Sequence, residues 1–156
     1  MSSQALDLFR RHGRSAWGRW LVSRAICRRA PYFASIAPTI EVLEPGRCVV
    51  RIRDRRRVHN HIGTVHAIAL CNMAELAGGL ATDATIPDTM RWIPKGMSVC
   101  YLKKAKGPMT ATARVPTIAA AASGSEVHVT VEVQDAGGEA VFDADITMWI
   151  SPRKAD

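Results

Sequence analysis

The sequence predicts an α+β domain, an antiparallel sheet of about six strands around one long buried helix with an amphipathic helix in front of it. Three observations carry that expectation. From Val65 to about Thr82 the chain is apolar nearly all round, the pattern of a helix enclosed by other elements. Segments on both sides of it alternate apolar and polar residues with period two. Two turn sequences, Glu44-Pro45-Gly46 and Asp135-Ala136-Gly137-Gly138, join neighbouring alternating segments.

The elements follow in order. Residues 1–30 form a basic helical segment with Leu6, Phe9, Trp17, Trp20 and Leu21 broadly on one side and Asp7, Arg10, Arg11, Arg14 and Gly18 on the other. It fits a transit-like peptide, a helix on a membrane surface or a helix packed on the domain; the stripe with two tryptophans favours packing on its own protein. Pro31 and Pro38 bracket a connector into the main domain, residues 31–156. Ile40 and Val42 alternate with Thr39 and Glu41, and Cys48, Val50 and Ile52 with Arg47, Arg51 and Arg53, giving a first hairpin. After the central helix come strands over Met97–Lys104 and Met109–Val115, then an Ala/Ser/Gly-rich loop through Ser125. Val127 to Val133 and Phe142 to Ile150 close the domain as a second hairpin.

Composition narrows the class. At 156 residues and 47% hydrophobic, the chain suits one domain with a substantial core. It has no uncharged apolar run long enough to span a bilayer. The cysteines, Cys27, Cys48, Cys71 and Cys100, form no CxxC pair and read as reduced core residues of a cytoplasmic protein. Residues 1–30 hold seven arginines against one acid, Asp7, so +6 of the net charge of +7 lies there and the main domain is close to neutral. Arg55, Arg56 and Arg57 come without aromatic interleaving or a nucleic-acid motif, so no nucleic acid is expected as partner. His59, His61 and His66 lack a Cys, Asp or Glu at ligand spacing, so no metal is expected.

The window from Asn60 to Glu75 carries the chemistry. Asn60 and Gly63 precede His66, and the helix that follows holds Glu75 well inside it. An unpaired charge in an apolar helix is costly, so such a carboxylate is either satisfied by hidden partners or kept for chemistry. Steps of three and four residues place Ile68, Asn72, Glu75, Gly79 and Thr82 on one line, and Ala69, Met73, Leu76 and Leu80 on another. Gly78 and Gly79 each cost up to about 1 kcal/mol inside a helix, which suggests either a close backbone approach or an early helix end.

Asn-x-x-Gly-x-x-His with an acid nine residues after the histidine resembles the hotdog-fold thioesterases, above all the 4-hydroxybenzoyl-CoA and phenylacetate-pathway branch, and the order of strands and helix agrees over roughly residues 38–151. The His66-Ala-Ile-Ala-Leu-Cys-Asn72 run looks closer still to small hotdog proteins of unassigned activity. The resemblance implies a dimer or dimer of dimers that hydrolyses acyl-CoA thioesters without a metal or other cofactor. It assigns Asn60 to orienting substrate or water, His66 to the motif histidine, the Ala67 backbone N–H to polarising the thioester carbonyl and Glu75 to the catalytic carboxylate. Gly63 and Gly79 fall in the substrate-binding region, with Thr82 the nearest hydroxyl on the Glu75 line. Two positions depart from the pattern: Ala67-Ile68 stands where the family has Gly-Gly, and Gly79 where a hydroxyl is common. Lys103, Lys104 and Lys106 are candidates for the CoA phosphates, or a solvated sheet edge. Glu75 would act as general base on water or attack the thioester directly. A non-catalytic acyl-CoA or acyl-chain binding protein is the alternative function.

In one straight helix Ala67 and Glu75 are separated by about 12 Å of rise, too far to serve one carbonyl together. A homodimer that pairs Ala67 of one subunit with Glu75 of the other is therefore expected, with Gly78 and Gly79 easing the approach of two central helices.

Overall fold

In the computed structural model, which describes residues 3–153, six antiparallel strands form one sheet that curves around a single long helix. Two helices, α1 (Gln4–His12) and α2 (Ala16–Arg29), come first, followed by a short 3₁₀ turn at Pro31–Ile36. The strands are β1 (Thr39–Glu44), β2 (Arg47–Ile52), β3 (Met90–Tyr101), β4 (Met109–Arg114), β5 (Ser125–Gln134) and β6 (Ala140–Pro152), and α3 (Ala67–Thr85) lies between β2 and β3. In the sheet they run β1-β2-β4-β5-β6-β3, so β1 and β3 are the edges. This is the hotdog arrangement. Residues 1–2 and 154–156, the outer ends of the two expected segments, lie outside the described residues.

Alternation sets which face of each strand turns inward. Val129, Val131 and Val133 of β5 and Ala144, Ile146, Met148 and Ile150 of β6 are buried against α3, which returns Met73, Ala74, Leu76 and Ala77. Gly78 is part of this packing: a Cβ there would come within 2.8 Å of the Ile146 Cδ1 atom. At Gly79 it would come within 3.0 Å of the Trp92 ring. Both glycines therefore admit the protein's own sheet and edge strand, not a second central helix. Both are also followed by further helix, which continues to Thr85 and takes in a second acid, Asp83.

Two strand boundaries differ from the sequence reading for a shared reason. β3 begins at Met90, ahead of the expected Met97, and passes through Pro94, with an irregularity in its pairing to β6 between Pro94 and Gly96. Proline is tolerated because β3 pairs on one side only. The strand also ends at Tyr101, so Lys103, Lys104 and Lys106 sit in the following loop.

The N-terminal segment is two helices packed on the domain. α1 ends at Gly13, and Ser15 starts α2 by accepting a 3.0 Å hydrogen bond from the Gly18 N–H. The break rotates α2, so the two tryptophans do not form its docking face. Gly18, Val22, Ser23 and Cys27 face inward, whereas Trp17 and Trp20 point to solvent. Ser23, fully buried, links helix to sheet: its hydroxyl donates to the Arg19 carbonyl at 2.7 Å and accepts the Ile40 N–H of β1 at 2.9 Å. The Arg19 guanidinium reaches Glu41 at 2.9 Å and Arg24 donates to the Pro38 carbonyl at 2.8 Å.

Ser23→Ala strips the buried Ile40 N–H of its acceptor, and urea denaturation should show a loss of about 1–3 kcal/mol. A loss within experimental error would mean that α2 is not held on β1 in solution.

Candidate active site

The site is built at two places on α3. Its N-terminus is prepared by the loop 59–66, where the Asn60 side chain closes a turn on itself. The Asn60 Oδ1 atom accepts the N–H groups of Ile62 and Thr64, each at 3.1 Å, and Nδ2 donates to the Thr64 hydroxyl at 2.8 Å. Gly63, at φ +75°, supplies the left-handed residue this turn requires. The Asn60 Oδ1 atom and one of the two Nδ2 hydrogens are thus engaged in shaping the loop. Gly63 is exposed and bends the chain.

His66 is the N-cap of α3. Its Nδ1 atom accepts the Ile68 N–H at 3.1 Å, which places the proton of a neutral ring on Nε2, and its carbonyl takes the N–H groups of Ala69 and Leu70. The Ala67 N–H is left over. It has no acceptor among the described residues, and it points from the positive end of the helix dipole. The Val65 N–H, two residues earlier, donates to the Ala105 carbonyl at 2.9 Å. That bond ties the lysine loop to this end of α3 and leaves Lys104 and Lys106 exposed on either side of the tether. Lys103 is engaged by an ion pair with Glu139.

Glu75 stands about two turns further along. The expectation that it is buried is corrected: in the single chain it is exposed, and it has no hydrogen bond or ion pair among the described residues. The sheet covers the opposite side of α3 and leaves a strip uncovered, in which Ile68 is 55% exposed, Cys71 half-buried and Glu75 open. The Asn72 member of the expected polar line turns inward instead, donating to the Ser35 hydroxyl at 3.0 Å.

From Glu75 a cavity of about 1120 Å³ runs toward the C-terminal end of α3. Its walls are Leu76 and Gly79 of α3, Trp92 of β3, and Leu8 and Ile26 of the N-terminal helices. Asp83 fastens the far end, accepting the Trp92 indole N–H at 3.3 Å and the Ser3 hydroxyl that caps α1. Gly79 therefore does lie beside Glu75 in a substrate-sized space. Thr82 does not: it is fully buried, and its hydroxyl donates to the Gly78 carbonyl at 2.8 Å. Its substrate-binding assignment is withdrawn.

Sequence reasoning missed a pair beside the uncovered strip. Cys71, one turn before Glu75, lies 3.2 Å from the Tyr101 hydroxyl across the gap between α3 and the edge strand. The hydrogen bond to Cys71, assisted by partial burial, pushes Tyr101 up to about 12, so the phenol stays protonated near neutrality. Nothing local pairs residues thirty positions apart; only the docking of β3 along α3 does so. The cavity wall was also hidden, because Leu8 and Ile26 read as ordinary helix residues.

The fold is that of a hotdog protein, with a cavity of about 1120 Å³ beside Glu75. The chain belongs to the family described as Domain of unknown function (DUF4442), which matches residues 18–150. The structural-genomics protein APC5556 is 44% identical, with a TM-score of 0.83 over 97% of this chain and 98% of its own. A Pseudomonas aeruginosa protein described as a probable thioesterase is 23% identical, with a TM-score of 0.72 over 81% of this chain and 91% of its own. A thioesterase family protein from Silicibacter pomeroyi is 19% identical, with a TM-score of 0.70 over 84% of this chain and 96% of its own. The last two share the fold. No curated protein matches the chain in sequence.

If Asn60 is a turn former, Asn60→Ala should lower stability by about 1–3 kcal/mol, because two loop N–H groups lose their acceptor. An Asn60→Ala protein that melts like wild type yet loses activity would place the amide in the chemistry.

Proposed function

We propose that the protein is an acyl-CoA thioesterase whose sites form between the subunits of a homodimer. The observation that carries this reading is the division of the site on α3: the free Ala67 N–H and the lysine loop are at one end, and Glu75 with its cavity lies about 12 Å further along the axis. Neither half suffices for a thioester alone. A two-fold axis laying the uncovered strips of two α3 helices against each other, antiparallel, brings the Ala67 end of one chain to the Glu75 of the other.

The surface around that strip supports a second copy as its cover. β3 is a long edge strand with Ile93 at 61%, Met97 at 38% and Tyr101 at 50% exposure. Beyond the irregularity at Pro94 and Gly96, the Met97–Tyr101 stretch of this edge is open to pairing, and an identical β3 related by a two-fold axis satisfies it on both sides. Further association as a dimer of dimers would use other surfaces.

In the assembled site the thioester carbonyl accepts the Ala67 N–H, and the acyl chain enters the cavity beneath Trp92. Glu75 of the other subunit takes a proton as water attacks the carbonyl carbon. The C–S bond then breaks, and the thiolate of CoA leaves and regains a proton. Direct attack by Glu75 would give an anhydride that water opens in a second step. Lys104 and Lys106 flank the α3 N-terminus, where the CoA phosphates would lie, with Lys103 available only if Glu139 releases it. No metal or cofactor takes part in this scheme, no nucleic acid is involved, and the four free thiols suit a cytoplasmic setting. A carrier or sensor of acyl-CoA would keep the same cavity; hydrolysis of an acyl-CoA panel beside direct binding of the same panel separates the two functions.

Glu75→Ala should reduce turnover by about 10²–10⁴ while acyl-CoA binding and melting temperature are retained, since the carboxylate makes no hydrogen bond or ion pair among the described residues of its own chain. Turnover equal to wild type would remove Glu75 from the chemistry.

Ala67 occupies the first helical position after a His66 with φ −66° and ψ 139°, a setting that accepts proline. Ala67→Pro deletes the N–H while keeping the helix, and kcat should fall by about 10²–10³. Mixing Ala67→Pro with Glu75→Ala under subunit exchange should restore about a quarter of wild-type activity, because half of random pairs are mixed and each has one intact site of two. No recovery would place both residues in a single-chain site and end the shared-site reading.

A further inference from the structure

α2 has two working faces. Its inner stripe docks on the domain, and Ala25 and Ile26 help to wall the Glu75 cavity. Its outer stripe carries Trp17, Trp20 and Leu21, at 70, 49 and 37% exposure, followed at helical spacing by Arg28. Single exposed apolar side chains are ordinary, but two indoles and a leucine within five positions form a patch. Beside it Leu8, His12, Trp20, Leu21 and Arg28 border a surface cleft of about 570 Å³.

The segment that carries this patch is strongly cationic, with seven arginines against one acid, Asp7, over residues 1–30, and Arg28 borders the same cleft as Trp20 and Leu21. Arg10, Arg11, Arg14 and Arg28 are exposed, and none has an acid within ion-pair distance among the described residues. Arg19 is occupied at Glu41. Thus the segment that holds nearly all of the chain's excess positive charge also presents its most exposed tryptophans.

We propose that this face docks on an anionic lipid bilayer surface, with Trp17, Trp20 and Leu21 in the headgroup region and Arg10, Arg11, Arg14 and Arg28 against acidic headgroups. Indole is suited to that depth, with an apolar ring and an N–H that remains wet. The area argues in the same direction. From their exposed fractions the three apolar side chains offer roughly 350–400 Å², well under the roughly 800 Å² per partner of a stable protein interface. A bilayer surface needs only a few apolar anchors when several cations act with them. The contact is peripheral, since no helix among the described residues is long and apolar enough to cross a membrane. The cleft and the Glu75 cavity share Leu8, Ala25 and Arg28, so docking would set the cavity's α1/α2 wall against the lipid. The docking surface stands whether or not the cavity serves a hydrolase.

The full chain is sedimented with vesicles of phosphatidylcholine alone and of phosphatidylcholine with about one third phosphatidylglycerol. Binding should be confined to the anionic vesicles and weaken as salt is raised, because exposed charges are screened within about 10 Å at 0.1 M ionic strength. Arg10→Gln/Arg11→Gln/Arg14→Gln should weaken binding on the order of 100-fold, and Trp17→Ala/Trp20→Ala at least about tenfold. Brominated lipid should quench the fluorescence of wild type and leave that of the double tryptophan variant unchanged, although Trp92 and Trp149 remain. Should the double variant lose its fold, Trp17→Ala alone carries the comparison, its side chain being largely exposed. Equal binding to both vesicle types, undiminished binding by the variants, or absence of quenching would overturn the proposal. So would self-association in lipid-free buffer that the tryptophan variant abolishes, which would make the face a protein interface.

Discussion

The burial of α3 is the constraint on which the rest of the molecule depends. The helix is apolar on nearly every side, and it contains two glycines that weaken it by up to about 1 kcal/mol each, so it has little reason to exist outside an enclosure. Four side chains alone, Leu70, Met73, Leu76 and Leu80, gain about 1.5–3 kcal/mol apiece on full burial, a sum comparable to the net stability of a whole domain. The sheet must therefore curve around it, and the small residues at Ala74, Ala77 and Gly78 let β5 and β6 approach closely.

A six-stranded sheet cannot enclose a helix completely. The strip of α3 beyond the β3 edge stays open in the single chain, and it is there that Glu75 stands. The carboxylate is not a charge forced into an apolar interior; it is the polar member of a strip left open in the single chain. The same strip explains why Cys71 and Tyr101 meet, since β3 leaves α3 alongside the gap and brings a phenol across it.

The N-terminal helices complete one end of this arrangement. They are latched by Ser23 to β1 and by Ser3 to Asp83, and the space they leave over α3 becomes the cavity. α2 is thereby fixed with one stripe inside and one outside, and the outer stripe retains its tryptophans and its arginines. Cavity wall and exposed cationic face are consequences of the same docking.

Periodicity along the chain is a local property, and it suffices for the fold: the alternation at Val127–Val133 and Phe142–Ile150, the turn residues at Gly46 and Gly138, and the apolar helix from residue 67 onward each follow from short-range sequence. The spacing of Ala67 and Glu75 on one helix, about 12 Å of rise, is equally local. What a side chain does once there depends on neighbours distant in sequence, and here local reading went astray. Thr82 resembles a pocket hydroxyl until it is seen buried and bonded to Gly78. The helical stripe of Trp17, Trp20 and Leu21 is plain in the sequence, but amphipathicity only says that two faces differ. Which face turns inward was decided by Ser23, whose hydroxyl takes the Ile40 N–H of β1, and by Gly18, where a Cβ would meet the His12 carbonyl, because a small, hydrogen-bonded surface packs more closely than two indoles can.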